Sequence, residues 1–373
     1  MIDFNPIMGK ECDSNDAMSP PTLLYHPQGE YLNGNRRWQG IPAIERSSAG
    51  RIFFAFYSGG QDEGIGNFVV LFRNDDDGAT MSEPYLAVRP SNPATCRIFD
   101  PCLWFAPDGR LWFFVTQSYT YYDGRNGVWA MICENPDDDR PVFGAPRRIA
   151  NGIMMNKPVV YRGDWLLPCA IWDKFRTTYN DLPEERFSNV YRSRDGGATF
   201  SLLSHTDYPD RHIDEHMIAE LNDGRLMMLI RGRHSIGQSF SSDGGESWSP
   251  AEDSGLGTPP SRFCLRRLRN GRLLLVNHVH FIKRNNLTAM ISDDGAKTWK
   301  GFLLLDGRND ISYPDAVEAE DGTIRIIYDR ERYKAREILM AKITQQDILA
   351  GRLTDPESRL GIVLNRATGP EPE

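Results

Sequence analysis

One pattern of apolar and polar residues recurs along the chain: an apolar strand, a short turn centred on glycine, and a second apolar strand. This arrangement predicts a β-hairpin. The six copies read IERSSAGRIFFAF, LWFAPDGRLWFFV, VVYRGDWLLPCA, IAELNDGRLMMLI, LRRLRNGRLLLVN and VEAEDGTIRIIYD. Their turn glycines are Gly50, Gly109, Gly163, Gly224, Gly271 and Gly322.

These glycines recur about every 50 to 60 residues, a spacing that fits one four-stranded propeller blade with some loop insertion. Six hairpins therefore predict an all-β fold, a six-bladed β-propeller with one repeat unit per blade. Helical periodicity is nearly absent until ITQQDILAG near the C-terminus, which predicts one short helix. A parallel α/β fold is disfavoured.

A second motif follows several of the hairpins. It reads SRDGGATF from Ser193, SSDGGESW from Ser241, SDDGAKTW from Ser292 and, more weakly, NDDDGATM from Asn74. The Asp and Ser side chains of such a motif bind backbone groups within the turn, while glycine permits a positive φ and the aromatic residue packs under the blade. We therefore interpret the motif as a device of the fold and not as a source of catalytic aspartates.

The repeats divide the chain into three parts. Residues 22–355 are predicted to form the propeller, between an N-terminal extension of residues 1–21 and a C-terminal tail of residues 356–373. The segment TLLYHP, from Thr22 to Pro27, is predicted to be a strand that completes the last blade and closes the ring.

Composition and charge narrow the range of partners. Apolar residues make up 40% and charged residues 25%, as in a soluble globular protein with a large core. The net charge of −8 argues against nucleic acid and anionic membranes as partners, because both usually require a basic surface. An acidic ligand would need a local basic pocket.

Other features of the sequence bear on the cellular compartment of the protein and on metal binding. The six cysteines are scattered without the paired spacing of a zinc site, and we interpret them as mostly buried thiols. We expect neither a cofactor nor a metal. The first residues lack the pattern of a signal peptide, so a cytoplasmic location is the default expectation; a periplasmic or secreted protein from which the signal had been removed would have the same sequence.

In a propeller the innermost strand of each blade faces the axis, so residues near the start of these strands converge at one end of the central channel. The chemically informative residues at these positions are Gln39, Gly40, Asp62, Asp100, Glu215, Arg231, Arg284 and Tyr313.

Several of these segments resemble the catalytic segments of exo-sialidases, whose propellers also carry the Ser-x-Asp-x-Gly-x-Thr-Trp motif, the Asp-box. DEHMIAELNDGRLMMLIR resembles the segment with the family's catalytic Glu and second binding Arg, which implies these roles for Glu215 and Arg231. RNNLTAMISDDG resembles the strand with the third Arg, here Arg284. SYPDAVEAEDGTIRIIYDRE resembles the segment with the tyrosine nucleophile, here Tyr313, and Asp329 stands where the family usually has Glu.

QDEGIGNFVVLFRNDDDG resembles more loosely the loop with the general acid/base, which would be Asp62. The resemblance implies an exo-acting glycoside hydrolase for a terminal, acidic sugar. A neutral phenol suits a sugar whose anomeric carbon carries a carboxylate, since an anionic nucleophile would be repelled. Glu215 would accept the proton of Tyr313, Asp62 would protonate the leaving oxygen, and arginines would hold the substrate carboxylate.

One position departs from the family's pattern. Sialidases have an Arg-Ile-Pro motif, and this chain has Gly40 before Ile41 and Pro42. Arg36 or Arg37 could reach in from upstream, and Arg37 is the residue that we include among the substrate-binding candidates. Alternatively the substrate is another keto-acid sugar, a uronic acid or a neutral sugar.

Three further residues are candidates for substrate contacts. Asp100 is one, although its carboxylate could instead cap the turn before Pro101. His216 and His278 are the others, as partners of sugar hydroxyls, while their HxxxH and HxH spacings leave a metal site as an alternative.

Two other functions share this scaffold. A polysaccharide lyase could use Tyr313 or a histidine to abstract a proton beside a uronate carboxylate that arginines neutralise. A carbohydrate-binding propeller without catalysis is the second, weakly favoured by Gly40 and disfavoured by the presence of Glu215 and Tyr313.

Overall fold

Six antiparallel sheets form the blades of a β-propeller in the computed structural model, which describes residues 15–60, 62–122, 125–172, 182–213 and 215–370. Blade one contains β1 (Thr22–Tyr25), β2 (Trp38–Arg46), β3 (Ile52–Gly59), β4 (Phe68–Asn74) and β5 (Leu86–Arg89). Blade two contains β6 (Cys96–Phe105), β7 (Leu111–Tyr119), β8 (Gly127–Cys133) and β9 (Arg147–Asn151). Blade three contains β10 (Val159–Tyr161), β11 (Asp164–Ala170), β12 (Ser188–Ser193) and β13 (Ser201–Thr206).

The second half of the ring repeats this plan. Blade four contains β14 (Met217–Glu220), β15 (Leu226–Arg231), β16 (Ser235–Ser241) and β17 (Glu252–Gly257). Blade five contains β18 (Cys264–Arg267), β19 (Leu273–His278), β20 (Leu287–Ser292) and β21 (Lys300–Asp306). Blade six contains β22 (Ile311–Glu318), β23 (Ile324–Arg330), β24 (Glu337–Ile343) and β25 (Arg359–Arg366). In the described parts of the chain, the helices are α1 (Gln345–Ala350) and three single 3₁₀ turns at Asp16–Met18, Gly29–Tyr31 and Pro183–Glu185.

The six predicted hairpins are confirmed, and each joins the innermost strand of a blade to the next strand. All six turn glycines have a positive φ; Gly50, for example, has φ 103° and Gly224 has φ 82°. Glycine reaches this left-handed region without the steric cost that a Cβ would impose. The predicted short helix is also present as α1, where Thr344 and Asp347 form a capping box.

The Asp-boxes are fold devices, as predicted. In blade three the Ser193 hydroxyl donates to Asp195 at 2.8 Å, and the Thr199 hydroxyl and amide donate to the same carboxylate at 2.6 and 2.9 Å. These hydrogen bonds lower the pKa of Asp195 to about 2. The boxes that begin at Asn74, Ser241 and Ser292 show the same bonding within their turns.

The prediction that the strand from Thr22 completes the last blade is wrong. β1 pairs antiparallel with β5, with Thr22 opposite Arg89, and so extends the outer edge of blade one. The outer edge of blade six is occupied by β25, which pairs with β24. Because β25 lies within the predicted tail 356–373, the propeller includes a strand that the predicted boundary at 355 excluded.

Hydrogen bonds between side chains and backbone close the ring between blades six and one. The Asp329 carboxylate accepts the Ile41 amide at 2.7 Å, and the Asp315 carboxylate accepts the Ile44 amide at 2.9 Å. Inner strands of neighbouring blades do not pair as a continuous sheet, so their peptide groups need such partners.

Apolar residues from neighbouring blades share buried clusters. Phe53 and Ala55 of blade one pack with Leu103 and Phe113 of blade two, for example. The described cysteines are all buried thiols, whereas Cys12 lies outside the described residues. In the described ranges, every helix falls short of the length and apolarity that a membrane span needs.

Lys157 lies buried in the central channel, where it connects four blades. Its Nζ donates to the carbonyls of Ile44 at 2.5 Å and Leu103 at 2.7 Å, and pairs with Glu45 at 2.9 Å and Asp315 at 3.2 Å. Burial acts to lower the pKa of Lys157, but the two carboxylates raise it above its ordinary value. The channel is thus a packed axis held by a charged cluster.

Replacing Lys157 with Met tests this axis. Two buried carboxylates would lose their common cation, and we expect a loss of about 3–5 kcal/mol in the free energy of unfolding, measured by urea denaturation. The exposed Lys297→Met is the control and should stay within about 0.5 kcal/mol of the wild type. Equal stability of the two variants would contradict the role given to Lys157.

His216 connects blade four to blade three. Its ring is buried, and Nε2 lies 2.7 Å from the carbonyl oxygen of Asn189. Burial lowers the pKa of His216 to about 4. The folded state therefore holds the neutral ring, whereas the unfolded chain takes up a proton near pH 6.5.

This difference predicts an acid-sensitive step in stability. The contribution of neutral His216 is complete above about pH 6.5 and is lost as the pH falls towards 4, so the wild type should lose about 3 kcal/mol in this window that His216→Gln does not lose. Chemical denaturation at pH 7 and pH 4 measures the difference. The exposed His26→Gln should follow the wild type, and the prediction fails if His216→Gln does so as well.

Candidate active site

The inner strands of three blades contain the same irregularity at the entrance to the channel. Ile41 of β2, Asp100 of β6 and Tyr313 of β22 have φ values of 59°, 50° and 56°, each at a register shift of its strand. In all three cases the next residue is proline. A bulge of this kind changes the direction of a side chain, and a positive φ at a non-glycine residue costs about 1–3 kcal/mol, which the surroundings must offset.

Arg262 holds two of these irregular turns in place. This buried side chain donates through Nη2 to the carbonyl of Pro314 at 2.8 Å and to that of Pro42 at 3.3 Å, and through Nη1 to the carbonyl of Met155 at 3.2 Å. Arg262 precedes blade five, so one guanidinium connects carbonyls of blades six and one and of the segment between blades two and three.

Tyr313, Glu215 and Arg231 form one buried hydrogen-bonded cluster. The Tyr313 hydroxyl donates to Glu215 Oε1 at 2.7 Å, and Arg231 Nη1 lies 2.6 Å from the same oxygen and 3.1 Å from the hydroxyl. The second carboxylate oxygen of Glu215, Oε2, is buried and has no hydrogen-bond partner among the described residues. The residues assigned by resemblance to nucleophile and base therefore lie in direct contact.

Electrostatics keep this tyrosine neutral. Burial and the Glu215 carboxylate raise the pKa of Tyr313 above its ordinary value, although the neighbouring arginines oppose this change. Burial disfavours the charged form of Arg231, but Glu215 and Tyr313 raise its pKa. At neutral pH the arrangement is a phenol that donates to a carboxylate, with a guanidinium on both.

Three further guanidinium groups lie against the Tyr313 ring. The Cζ atoms of Arg332, Arg284 and Arg262 are 4.4, 5.4 and 5.9 Å from the ring centroid. Arg284 Nη2 donates to the carbonyl of Pro260 at 2.8 Å, as Arg231 Nη2 does at 2.9 Å. Both arginines predicted from the sequence therefore converge on one side of Tyr313.

Arg332 also lies at the candidate site, although no motif in the sequence pointed to it. Its Nε donates to Asp329 Oδ2 at 2.9 Å, its Nη2 to the Ser312 hydroxyl at 3.3 Å, and its Nη1 to Glu63 Oε1 at 3.1 Å. Asp329, which occupies the family's Glu position, is fully buried and also accepts the Ser312 hydroxyl at 2.6 Å.

The loop of Asp62 brings its neighbour Glu63 to the site. Glu63 is half-buried, pairs with Arg332, and has its Oε2 4.0 Å from Nη1 of the buried Arg97. Asp62 is exposed, and within the described part of the chain no ion pair involves its carboxylate. Its assignment as acid/base stays a prediction.

Asp100 is buried in the same region. Burial raises the pKa of Asp100 well above its ordinary value, and the charges of Glu63 and Glu215 act in the same direction. Burial therefore favours the protonated form of this side chain, in which the carboxylic acid can donate a hydrogen bond to a bound molecule.

The other predicted contacts differ in position. His278 ends β19, with Nδ1 2.7 Å from the Asn285 carbonyl, and burial lowers its pKa to about 4; its Nε2 has no partner among the described residues. His216 uses its ring in the contact between blades described above. Arg37 is half-buried and its carbonyl accepts Arg336 Nη1 at 3.4 Å, so its role in binding stays a prediction.

Arg36, the alternative to Arg37, is committed to the fold. The guanidinium is fully buried, donates to Gln39 at 2.5 Å and Asn365 at 2.8 Å, and lies 5.1 Å over the Phe56 ring.

Among the described residues, two of the arginines around Tyr313 have no acidic partner. Glu215 pairs with Arg231, and Asp329 and Glu63 pair with Arg332, whereas the hydrogen bonds of Arg284 and Arg262 go to carbonyls. A pocket of about 190 Å³ beside the tyrosine is lined by seven residues, namely Arg284, Asp310, Ser312, Glu331, Arg332, Tyr333 and Lys334. Among the described residues, no three His, Cys, Asp or Glu side chains group as a metal site requires. The arrangement suits an anion beside a phenol.

Two weak signals in the sequence mark the parts of the site that the motifs did not predict. The dipeptides Ile41–Pro42, Asp100–Pro101 and Tyr313–Pro314 mark the irregular turns. The second signal is Gly40, whose missing side chain coincides in space with Arg332; a Cβ at residue 40 would lie 2.6 Å from Arg332 Nε.

Comparison with known proteins supports the same architecture. The BNR repeat-like domain matches residues 50–326, more than half of the chain. A comparison with curated proteins found no match. Among solved structures, the chain is similar to a protein of unknown function from Dyadobacter fermentans, with a TM-score of 0.62 and 16% identity over 85% of this chain and 95% of that one.

Two sialidase structures are also similar. The leech intramolecular trans-sialidase, in complex with 2,7-anhydro-Neu5Ac, has a TM-score of 0.66 and 14% identity, over 89% of this chain and 71% of that one. The intramolecular trans-sialidase from Ruminococcus gnavus, in complex with oseltamivir carboxylate, has a TM-score of 0.64 and 12% identity, over 92% of this chain and 100% of that one. At these identities the likeness shows the fold. From the matched repeats and the six blades, the chain belongs to the BNR repeat-like domain family and has the propeller fold of the sialidases.

Proposed function

We propose that this protein is an exo-acting, retaining glycoside hydrolase that removes a terminal acidic sugar. The observation that carries the proposal is the buried contact of 2.7 Å between the Tyr313 hydroxyl and Glu215, with Arg231 bonded to both. Leech and Ruminococcus gnavus proteins with this fold are intramolecular trans-sialidases, which makes glycosyl transfer chemistry familiar on the scaffold.

In the first step the phenolic oxygen of Tyr313 attacks the anomeric carbon while its proton passes to Glu215 Oε1. The bond to the leaving oxygen breaks, and that oxygen takes a proton from a carboxylic acid of the loop 62–66. Because the pKa of Tyr313 is raised, the phenolate is not present beforehand, and the attack depends on Glu215 as base. Arg231 stabilises the charge that moves between the two oxygens.

In the second step the loop carboxylate removes a proton from water, and the resulting hydroxide attacks the anomeric carbon. The tyrosine oxygen leaves and regains its proton from Glu215, so the enzyme returns to its starting state. Two displacements at the same carbon retain its configuration.

The surplus of cations supports an acidic substrate. Arg284 and Arg262 have carbonyls but no carboxylate as partners among the described residues, and Arg284 lines the pocket beside Tyr313. A sugar carboxylate would supply the missing negative charge. Such a substrate also explains a phenol as nucleophile, since it approaches the charged sugar without repulsion.

Glu63 is our preferred loop acid, with Asp62 as the alternative. The Glu63 carboxylate lies 3.1 Å from Nη1 of Arg332 and 4.0 Å from Nη1 of Arg97. The exposed Asp62 makes no ion pair within the described ranges. To act as the acid, Glu63 must carry a proton in the first step, so its ion pair with Arg332 must break when the acidic substrate binds.

The tyrosine and its base are tested by paired conservative variants. We expect Glu215→Gln to lower kcat by about 10²–10⁴-fold, because the phenol loses its base, and Tyr313→Phe to lose at least as much. The assay uses aryl glycosides of sialic acid, 3-deoxy-2-keto sugar acids and uronic acids, with detection of the released phenol.

Tyr333→Phe is the matched control, since this exposed tyrosine lines the same pocket and should remain close to wild type. Equal activity of the Tyr313 and Tyr333 variants would refute the nucleophile. A product with near-ultraviolet absorption instead of a free sugar would support the lyase, and binding without turnover would support a binding propeller.

The loop acid is tested by the pair Glu63→Gln and Asp62→Asn. With an alkyl glycoside, whose leaving group needs a proton, Glu63→Gln should lose about 10²–10⁴-fold in kcat, and with an acidic phenol much less. Asp62→Asn should behave as wild type on both substrates. The reverse pattern would assign the role to Asp62, and equal losses on both substrates would exclude Glu63 as the acid.

A further inference from the structure

The side chain of Arg332 occupies the space that a side chain at residue 40 would need. A Cβ at residue 40 would lie 2.6, 2.7 and 2.9 Å from Nε, Cδ and Cγ of Arg332, well inside van der Waals contact. The backbone of Gly40 does not have the positive φ that would itself favour glycine. Steric exclusion by Arg332 therefore explains why residue 40 is glycine.

Arg332 is not free to move aside. The side chain is 9% exposed and is held by Asp329, Ser312 and Glu63. It reaches the site from the turn after β23 in blade six, while Gly40 lies on β2 in blade one. Two residues far apart in the chain thus share one place beside the channel.

The guanidinium of Arg332 lies where a molecule bound next to Tyr313 would contact it. Of the three arginine Cζ atoms that lie against the Tyr313 ring, that of Arg332 is the nearest, at 4.4 Å, and it lines the same pocket as Arg284. With Arg231 bonded to the Tyr313 hydroxyl, three guanidiniums surround one phenol. Four of the five N–H donors of the Arg332 guanidinium bond to described residues, and the fifth, on Nη1, is left for a bound molecule.

We propose that Arg332 replaces the side chain absent at Gly40 and completes, with Arg231 and Arg284, a three-guanidinium site for a carboxylate on the anomeric carbon of the substrate. This inference rests on the proposed glycosidase function and names its substrate class, a 2-keto sugar acid. Arg332 is then the specificity-determining residue of the site, because it lies over the ring of the nucleophile, where that carboxylate would meet it.

Binding measurements separate this role from catalysis. Titration calorimetry with free sialic acid, a free 3-deoxy-2-keto sugar acid and their carboxamides compares wild type with Arg332→Ala. We expect the variant to bind the best acid about 10- to 100-fold more weakly, as for a lost charge-assisted hydrogen bond, and to bind its carboxamide unchanged. Arg352→Ala, which removes an exposed arginine in the turn after α1, away from the pocket, is the control and should bind as wild type.

A swap of the two positions tests the shared space directly. Gly40→Arg alone should lower the melting temperature, because its side chain collides with Arg332. The double variant Gly40→Arg/Arg332→Ala should recover both the melting temperature and at least part of the carboxylate affinity that Arg332→Ala loses. A purely structural Arg332 would not produce this recovery of affinity.

The outcomes separate the two proposals. Sugar hydrolysis with unchanged acid affinity in Arg332→Ala, or a double variant without recovery, overturns the role of Arg332 and leaves the hydrolase intact. Tight acid binding that depends on Arg332, without turnover of any glycoside, supports the site and overturns the hydrolase. Tighter binding of glucuronic acid than of either keto sugar acid, or no binding of any acid, overturns the substrate class.

Discussion

The architecture depends on how the unpaired inner strands are held at the axis of the ring. Arg262 does this next to the candidate site: its buried guanidinium binds the carbonyls of Pro42 in blade one, Pro314 in blade six and Met155 between blades two and three. Pro314 follows Tyr313 directly, and the strained φ of the tyrosine is maintained by this contact. The Arg262 guanidinium therefore both connects the blades around the channel and orients the Tyr313 side chain.

At the candidate site several arginines lie close together, and carboxylates neutralise only some of them. Arg231 is neutralised by Glu215, and Arg332 by Asp329, whereas Arg284 has a carbonyl partner. Taking such groups out of water has a cost that a bound anion offsets. Under the proposed function, this local positive charge would favour an acidic ligand, although the whole chain carries a net charge of −8.

Features that depend on neighbouring residues could be predicted from the sequence, and those that depend on the ring could not. Turn glycines and Asp-boxes act within a few residues, so the hairpins and the number of blades follow from their pattern. The partner of β1 was mispredicted because blade six takes its outer strand from β25, a choice between distant segments. Resemblance pointed to Tyr313 and Glu215, which the fold brings into contact, whereas no local pattern could show that Arg332 of the neighbouring blade fills the space beside Gly40.

The central claim is that the Tyr313 oxygen forms a bond to the anomeric carbon of an acidic sugar. The most direct measurement is peptide mass spectrometry of protein treated with a fluorinated acidic glycosyl fluoride, in which the ring fluorine slows release of the trapped sugar. We expect one sugar adduct, on the peptide that contains Tyr313, and none in Tyr313→Phe. An adduct on a carboxylate such as Glu215 or Glu63, or turnover of the reagent without an adduct, would contradict it.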